Sequence, residues 1–498
     1  MLETYRLHID GEERDAASGA FFDVENPASG RPAFSVADAT EQDVAFAVEA
    51  ARVAFVDGRW SGQRPRERAR VLNRAAALLA DDIDVLARLE TTQVGRPIRE
   101  MRSQLQRLPE WLEYFGAVAQ TLEGRVPDFG PGYLNYIQRV PLGVAALITP
   151  WNHPLLILMK KLSAALAAGN TVVVKPSELA PVTPILLARI LARAGLPRGV
   201  VNVVPGSGTR AGKALASSPG LGKVDLTGGT QTGRAVAMAA GGNLVPVAAE
   251  LGGKAPVIIF ADAPLGRTVA GALFAAFIAS GQTCVQGARL LVHRPIFEDF
   301  TELFVQHASA LRLGDPLMQE TQVGPMVSEG QRQKVADAVL RARDQGATIL
   351  CGGAEPSDPT LVSGYYYRPT VIGNVGTDMD VWREEVFGPV TLLVPFEDEA
   401  DAIRLANDSQ YDLAASVWTQ DAARGHRVAD HLDVGIVWIN DHHRVDPASV
   451  WGGTKNSGIG RENGIEGYLS YTQSKSVIVS TTGEDFDWFG SSEQLRYS

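Results

Sequence analysis

From Val144 onward the chain alternates short, continuously apolar runs with longer helix-like stretches, and this alternation restricts its fold more than any other feature. VAALIT, TVVVKP, VVNVVPG, KVDLTG and VPVAAELGG read as strands; Pro154–Ala168, VTPILLARILARAG, TRAGKALASS and TGRAVAMAAGG between them read as helices. A strand that is apolar on both faces has to be covered on both faces. Helical crossovers between parallel neighbours do that, so the pattern predicts a doubly wound parallel sheet. A second α/β run follows, from APVIIF through helices around residues 265–280 and 328–346 to VTLLVPF, ASVWT and GIVWIN. Upstream, residues 40–120 carry helical periodicity in Ala, Leu and Arg. Tyr133–Val140 alternates apolar and polar residues, and the tail SKSVIVSTT is a strand with unpaired edges. The tail is expected to pair with Tyr133–Val140 or with another subunit.

A chain of 498 residues exceeds one core, and ordinary domain sizes predict roughly two to four domains. Its net charge of −11 excludes nucleic acid and anionic membranes as expected partners. The N-terminal MLETYRLHIDGEERD lacks the apolar core of a secretory signal. The most apolar stretch, Pro154–Ala168, is too short to span a bilayer and is interrupted by Lys160 and Lys161. A cytoplasmic protein is expected. The two cysteines, Cys284 and Cys351, are too few for a disulfide framework or a four-cysteine zinc site, and no metal is expected.

Phosphates bind at strand-to-helix turns, where helix N-termini present free N–H groups. Two such turns are glycine-rich: Gly206, Gly208 and Gly212 follow one strand, and Gly228, Gly229 and Gly233 follow the next. Neither matches G-x-G-x-x-G, and Arg234 and Ala235 stand where a P-loop would have its Lys and Ser/Thr. Lys175 and Glu178 of KPSE follow the strand TVVV, where they suit a ribose or a solvated turn equally well. A lone cysteine is more often an inert apolar residue than a nucleophile. Cys284, however, lies in GQTC at a junction between an apolar helix and an apolar strand, where a side chain can be aimed into a cleft. Glu250 ends an apolar strand before a glycine pair, and Asn152 opens a helix in ITPWNHP, where simple capping is the bland reading.

Taken together, ITPWNHPL, AALAAGNTVVVKPSE, LTGGTQTG, ELGGKAP, GQTC, GDP, GPM, EEVFGPV, LANDSQYDLAASVWT and WGGTKNSGIGRENG resemble the aldehyde dehydrogenase superfamily, over nearly the whole chain from about Ile9 to Val479. The resemblance implies that the Cys284 thiolate adds to an aldehyde and that the Asn152 amide and the Cys284 N–H hold the oxyanion. Hydride then passes to a nicotinamide, and Glu250 activates the water that resolves the thioester, with Glu462 as a second carboxylate on the water path. It implies Lys175 and Glu178 on the adenosine ribose, and Gly208, Gly212, Gly228, Gly229 and Thr232 about the pyrophosphate. Glu385 and Phe387 would meet the nicotinamide ribose and ring, and Pro150, Trp151 and Leu251 would complete the cofactor wall. Glu178 favours NAD over NADP, though Lys175 leaves NADP possible.

The implied architecture is a Rossmann-like dinucleotide-binding domain (residues 1–122 and 142–252), an α/β catalytic domain (253–472) and small β oligomerisation segments (123–141 and 473–498). A homodimer or homotetramer is expected. For the substrate, His153, Leu156, Ile157 and Lys160 share one helical face. By resemblance that face lines the aldehyde tunnel opposite His443, Arg444, Val445 and Trp451, with Thr283 beside the nucleophile. Betaine aldehyde dehydrogenases also place a tryptophan before this glycine pair, to hold a quaternary ammonium. Lys160 and Arg444 would repel such a cation, so a bulky aromatic or carboxylate-bearing aldehyde is expected, unless Asp441 and Asp446 neutralise Arg444 and Lys160 turns to solvent. Two departures from the family pattern stand out: Gly229 replaces a serine, and Asp412 replaces a glycine. Retention of Glu250 argues against a CoA-acylating enzyme, and the intact Cys284, Glu250 and Asn152 argue against a non-catalytic relative.

Overall fold

The computed structural model of the chain describes residues 2–483 and residue 489. Two large sheets organise it. In the eight-stranded sheet the order is Gly458–Ile459, Val247–Glu250, Leu221–Thr227, Val144–Thr149, Thr171–Pro176, Val201–Val203, Leu7–Ile9, Glu12–Arg14. The five strands from Val247–Glu250 to Val201–Val203 run parallel, as two-sided apolar strands require. Helices Pro65–Asp81, Pro109–Thr121, Pro154–Ala168 and Val182–Arg193 pack on one face through Leu72, Leu112, Leu162 and Ile185. Helices Glu41–Val56 and Thr230–Gly241 cover the other through Val44, Ala47, Val236 and Ala240.

In the seven-stranded sheet the order is Thr348–Cys351, Thr370–Gly373, Val390–Phe396, Gly287–His293, Ala255–Ile259, Ala414–Trp418, Ile436–Ile439, parallel except at the Thr348–Cys351 edge. A three-stranded sheet pairs Glu3–Tyr5, Arg31–Ala37 and Phe21–Asn26. The Thr472–Ser480 strand pairs antiparallel with Tyr133–Pro141 within the chain, from Thr472 opposite Pro141 to Ser480 opposite Tyr133. Of the segment 473–498, residues 484–488 and 490–498 lie outside the described residues.

The structure departs from the sequence reading in three places. The N-terminal strands are only three to seven residues long and mix charged with apolar positions, so no periodicity announces them. TRAGKALASS is not one helix: Gly208–Gly212 forms a wide π turn and only Lys213–Ala216 is α-helical. The helix beginning at Leu265 ends at Phe277, because Ala279, Ser280 and Gly281 all take left-handed φ values of 54°, 54° and 71°. Among the described residues no helix is long and apolar enough to cross a membrane.

Candidate active site

The link Leu251–Lys254 carries the chain from one large sheet to the other, and the candidate site lies along it. The glycine pair here is a steric necessity: a Cβ on Gly252 would strike the Glu385 carboxylate, and one on Gly253 would strike the Cys284 carbonyl oxygen. Removing two side chains therefore draws Glu250, Cys284 and Glu385 together.

Cys284 follows the left-handed turn directly. It packs against Val285, Leu413 and Trp451. Burial pushes its thiol up to about 12, against the pull of Lys160. Glu250 ends its strand opposite Gly458, with its carboxylate under Gly452. Its Oε2 is buried without a hydrogen-bond partner, and burial, reinforced by Glu462, holds its carboxyl well above the usual range. A carboxylate so destabilised is a strong base when ionised. The Asn152 Nδ2 donates one hydrogen bond to the Gln282 carbonyl at 2.9 Å, which leaves its second N–H available.

A cavity of about 600 Å³ is lined by Cys284, Asn152, Pro150, Trp151, Gly228, Gly229, Thr232, Leu251, Glu385 and Phe387. Trp151 and Phe387 meet edge to face at 5.4 Å, forming an aromatic wall. Glu385 accepts from the Gly253 N–H at 2.9 Å, and burial raises its carboxyl to about 7. The helix Thr230–Gly241 opens onto this cavity from Gly229 with no side-chain cap. The space around a Gly229 Cβ is empty, and the buried Thr227 hydroxyl has no partner. Uncapped N–H groups, an unmatched hydroxyl and an open floor suit an anionic pyrophosphate, so these residues fit a dinucleotide. Lys175, Glu178, Gly208 and Gly212 do not line this cavity. Lys175 donates to Glu178 at 3.3 Å, and a Gly212 Cβ would touch Lys175, so these three stand together, with Gly208 opening the turn that ends at Gly212.

A second cavity, of about 790 Å³, is lined by Trp111, Leu156, Phe274, Phe277, His443 and Val445, with Arg99, Arg107 and Arg444 among its charged groups. Val445 also packs in the cluster that holds Cys284. Arg444 is paired with Asp441 at 2.9 Å, and Arg107 with Glu110 and Asp446. Arg99 has no ion-pair partner among the described residues. Lys160 is not placed as the sequence reading has it. It is 5% exposed, pairs with Glu462 Oε2 at 2.7 Å and lies 4.3 Å from the centre of the Trp451 ring. A buried helix face leaves it no route to solvent, so it turns to the nearest carboxylate. Ile157 and Trp451 are buried and line neither cavity, and Thr283 is tied to His153.

Three groups of residues were not legible beforehand. Gln331, Lys334 and Asp337 line the first cavity from the helix Glu329–Asp344, where charged residues read as an ordinary solvated face. Lys161 sits fully buried between Asp225 (2.5 Å) and Glu462, with Tyr471 donating to Asp225 at 2.7 Å. Its adjacency to Lys160 inside an apolar helix was the available signal. Glu100, on the helix Ile98–Leu105, accepts from the Ala279 N–H before Cys284, and Arg96, in the loop before that helix, and Gln104, on it, both meet His153. Asp412, the second family departure, accepts from the Thr454 N–H at 2.6 Å and from its hydroxyl, which ties down the loop after Trp451.

The model of the Aldehyde dehydrogenase family matches residues 14–477. The chain is 41% identical to Betaine aldehyde dehydrogenase 1 of Oryza sativa subsp. japonica over 490 residues, covering 97% of each protein. It is 39% identical to Betaine aldehyde dehydrogenase of Bacillus subtilis (strain 168), covering 97% of this chain and 99% of that protein. Among solved structures, betaine aldehyde dehydrogenase from Staphylococcus aureus in complex with NAD+ superposes with a TM-score of 0.96 at 37% identity, covering 98% of this chain and 97% of that one. Cys284 and Asn152 on the wall of one cavity, with a match across almost the full length, lead to one conclusion: the chain belongs to the aldehyde dehydrogenase family of NAD(P)-dependent oxidoreductases.

Proposed function

We propose that the chain oxidises a bulky aromatic or carboxylate-bearing aldehyde to its acid with NAD+. The observation that carries the reaction is the gathering of Cys284 and Asn152 on one cavity, with Glu250 buried and unpartnered beside them. The Cys284 thiol releases its proton to solvent, its sulfur adds to the aldehyde carbon, and the new oxyanion accepts from the free Asn152 N–H and the Cys284 backbone N–H. Bound NAD+ supplies the hydride acceptor. Gly228, Gly229, Thr232 and the start of the Thr230–Gly241 helix hold its pyrophosphate, while Glu385 and Phe387 hold the nicotinamide end. Glu178, with its carboxylate half exposed beside Lys175, holds the adenosine ribose and disfavours a 2′-phosphate. Glu250 then takes a proton from the water that attacks the thioester on Cys284, releasing the acid.

The substrate class rests on the second cavity. Its walls suit a flat, apolar body, and Arg99 offers an uncommitted cation. The named relatives favour a second reading, betaine aldehyde. A quaternary ammonium would need the face of Trp451, and Lys160 already occupies it. The test compares kcat/KM for a carboxylate-bearing aromatic aldehyde, its neutral analogue and betaine aldehyde, with NADH and free acid measured in the absence of CoA. We expect the anionic compound to lead and betaine aldehyde to trail, with betaine aldehyde gaining in Lys160→Met. A wild-type preference for the neutral analogue ends the anion reading; a preference for betaine aldehyde establishes the second one.

A further inference from the structure

The turn that presents Cys284 is strained. Ala279 and Ser280 both hold left-handed φ values that L-residues avoid, so their surroundings must over-determine them. Some of the restraint is local: Ser280 Oγ donates to the Gly324 carbonyl at 2.9 Å, and Gln282 Oε1 accepts from the Val327 N–H at 3.0 Å. The rest arrives from a different part of the chain. Glu100 Oε2 accepts the Ala279 N–H at 3.1 Å, and His153 Nε2 meets the Thr283 hydroxyl at 3.2 Å. Both of these residues are held by one guanidinium. Arg96, 3% exposed, donates to Glu100 Oε2 at 3.2 Å, to His153 Nδ1 at 2.8 Å, to Gln104 Oε1 at 3.1 Å and to the Asn152 carbonyl at 3.4 Å.

The donors fix the chemistry of His153. Arg96 can only donate, and the Gln104 amide also donates to Nδ1, at 2.8 Å. Nδ1 is therefore an acceptor, the ring hydrogen lies on Nε2, and His153 donates to Thr283. Burial beside Arg96 keeps the ring neutral, well below its ordinary titration range. Arg96 itself is seated by steric contact, since a Cβ on the preceding Gly95 (φ 74°) would come within 2.6 Å of Pro325.

We propose that Arg96 is a positioning residue for the nucleophile: through Glu100 and His153 it locks the 279–283 turn, and through the Asn152 carbonyl it registers the oxyanion donor against Cys284. Arg96 touches no reacting atom in this role. It rests on Cys284 being the nucleophile, which is checked separately by loss of activity in Cys284→Ala.

The experiment measures kcat, aldehyde KM, NAD+ Kd by tryptophan quenching and the rate of Cys284 alkylation by iodoacetamide. The variants are Arg96→Met, Arg96→Lys, His153→Phe and His153→Gln. We expect Arg96→Met to lower kcat about 10- to 100-fold, the range typical of residues that orient a reacting group. NAD+ Kd should stay within about twofold, Cys284 alkylation should change with kcat, and Arg96→Lys should recover part of the loss. If Arg96→Met does not fold, the His153 pair decides: His153→Phe should lose kcat, and His153→Gln, which keeps an N–H donor, should recover it. Unchanged kcat and alkylation would overturn the proposal. So would a rise in aldehyde KM alone, which would make these side chains substrate contacts, or a parallel loss of NAD+ binding, which would make them general supports of the fold.

Discussion

Burial does to Cys284 the opposite of what a nucleophile needs, since it pushes the thiol up to about 12 and leaves it neutral through the physiological range. Lys160 is the strongest influence in the other direction. Because a raised pKa means that the thiolate fraction climbs with pH, alkylation of the free enzyme by iodoacetamide should accelerate about tenfold per pH unit from pH 7 to 10. Lys160→Met should slow it at every pH. A plateau below pH 9 in the wild-type profile would show a thiolate stabilised by something other than Lys160. At this scale the sequence was informative about identity and poor about pairing. Cys284, Glu250 and Asn152 sit in recognisable short motifs, whereas the partner that removes Lys160 from the substrate's reach, Glu462, lies at the far end of the chain. No local pattern connects the two. The Asp441–Arg444 pair, three residues apart, could be weighed in advance for the converse reason.

Among the elements, the helix Pro154–Ala168 has the most demands on it. It is buried along its whole length, yet it carries two lysines into the interior. Lys161 is the one whose removal leaves the larger deficit: Asp225 and Glu462, both fully buried, share its ammonium. Breaking a buried ion pair from one side costs about 3–5 kcal/mol when the remaining charge is left without compensation; here Glu462 keeps Lys160 at 2.7 Å, whereas Asp225 keeps only Lys223 at 3.5 Å. Lys161→Met should therefore lower the denaturant midpoint substantially at neutral pH. Combining it with Asp225→Asn should recover part of the loss, because the carboxylate left with only the more distant Lys223 is removed. A single variant as stable as wild type would mean that water reaches the cluster. Strands such as Val144–Thr149 and Ala255–Ile259 were legible because two-sided burial makes them continuously apolar. The two-residue strand Gly458–Ile459, which sets the backbone beside Glu250, was not legible. It is defined by a close approach at Gly458, where a Cβ would strike the Ala249 carbonyl, and not by its own hydrophobic pattern.

For the molecule as a whole, the ribbon of Tyr133–Pro141 and Thr472–Ser480 is the part least able to stand alone. A two-stranded sheet is marginal in water unless something covers a face. This one exposes Leu134, Tyr136, Ile478 and Val479, with Val126 and Phe129 exposed in the segment leading into it. The rest of the molecule has large, well-filled cores on both sides of both major sheets, so these side chains are exposed by placement and not through a shortage of core. A second copy of the chain is the occupant that fits a self-complementary apolar ribbon, since a twofold axis would bury the same residues from both partners. A stable interface of that kind buries roughly 800 Å² on each side, which the ribbon reaches only by packing against a broad surface of the neighbour. Sedimentation velocity should therefore give a dimer or larger assembly for the wild-type chain. Charging the ribbon with Ile478→Lys and Tyr136→Lys together should shift it toward the monomer, while the Thr472–Ser480 pairing within each chain is kept. The variant's catalytic cavities lie in the body of the chain and should still bind NAD+. A wild-type chain that sediments as a monomer at micromolar concentration would leave the exposed ribbon without a partner of its own kind.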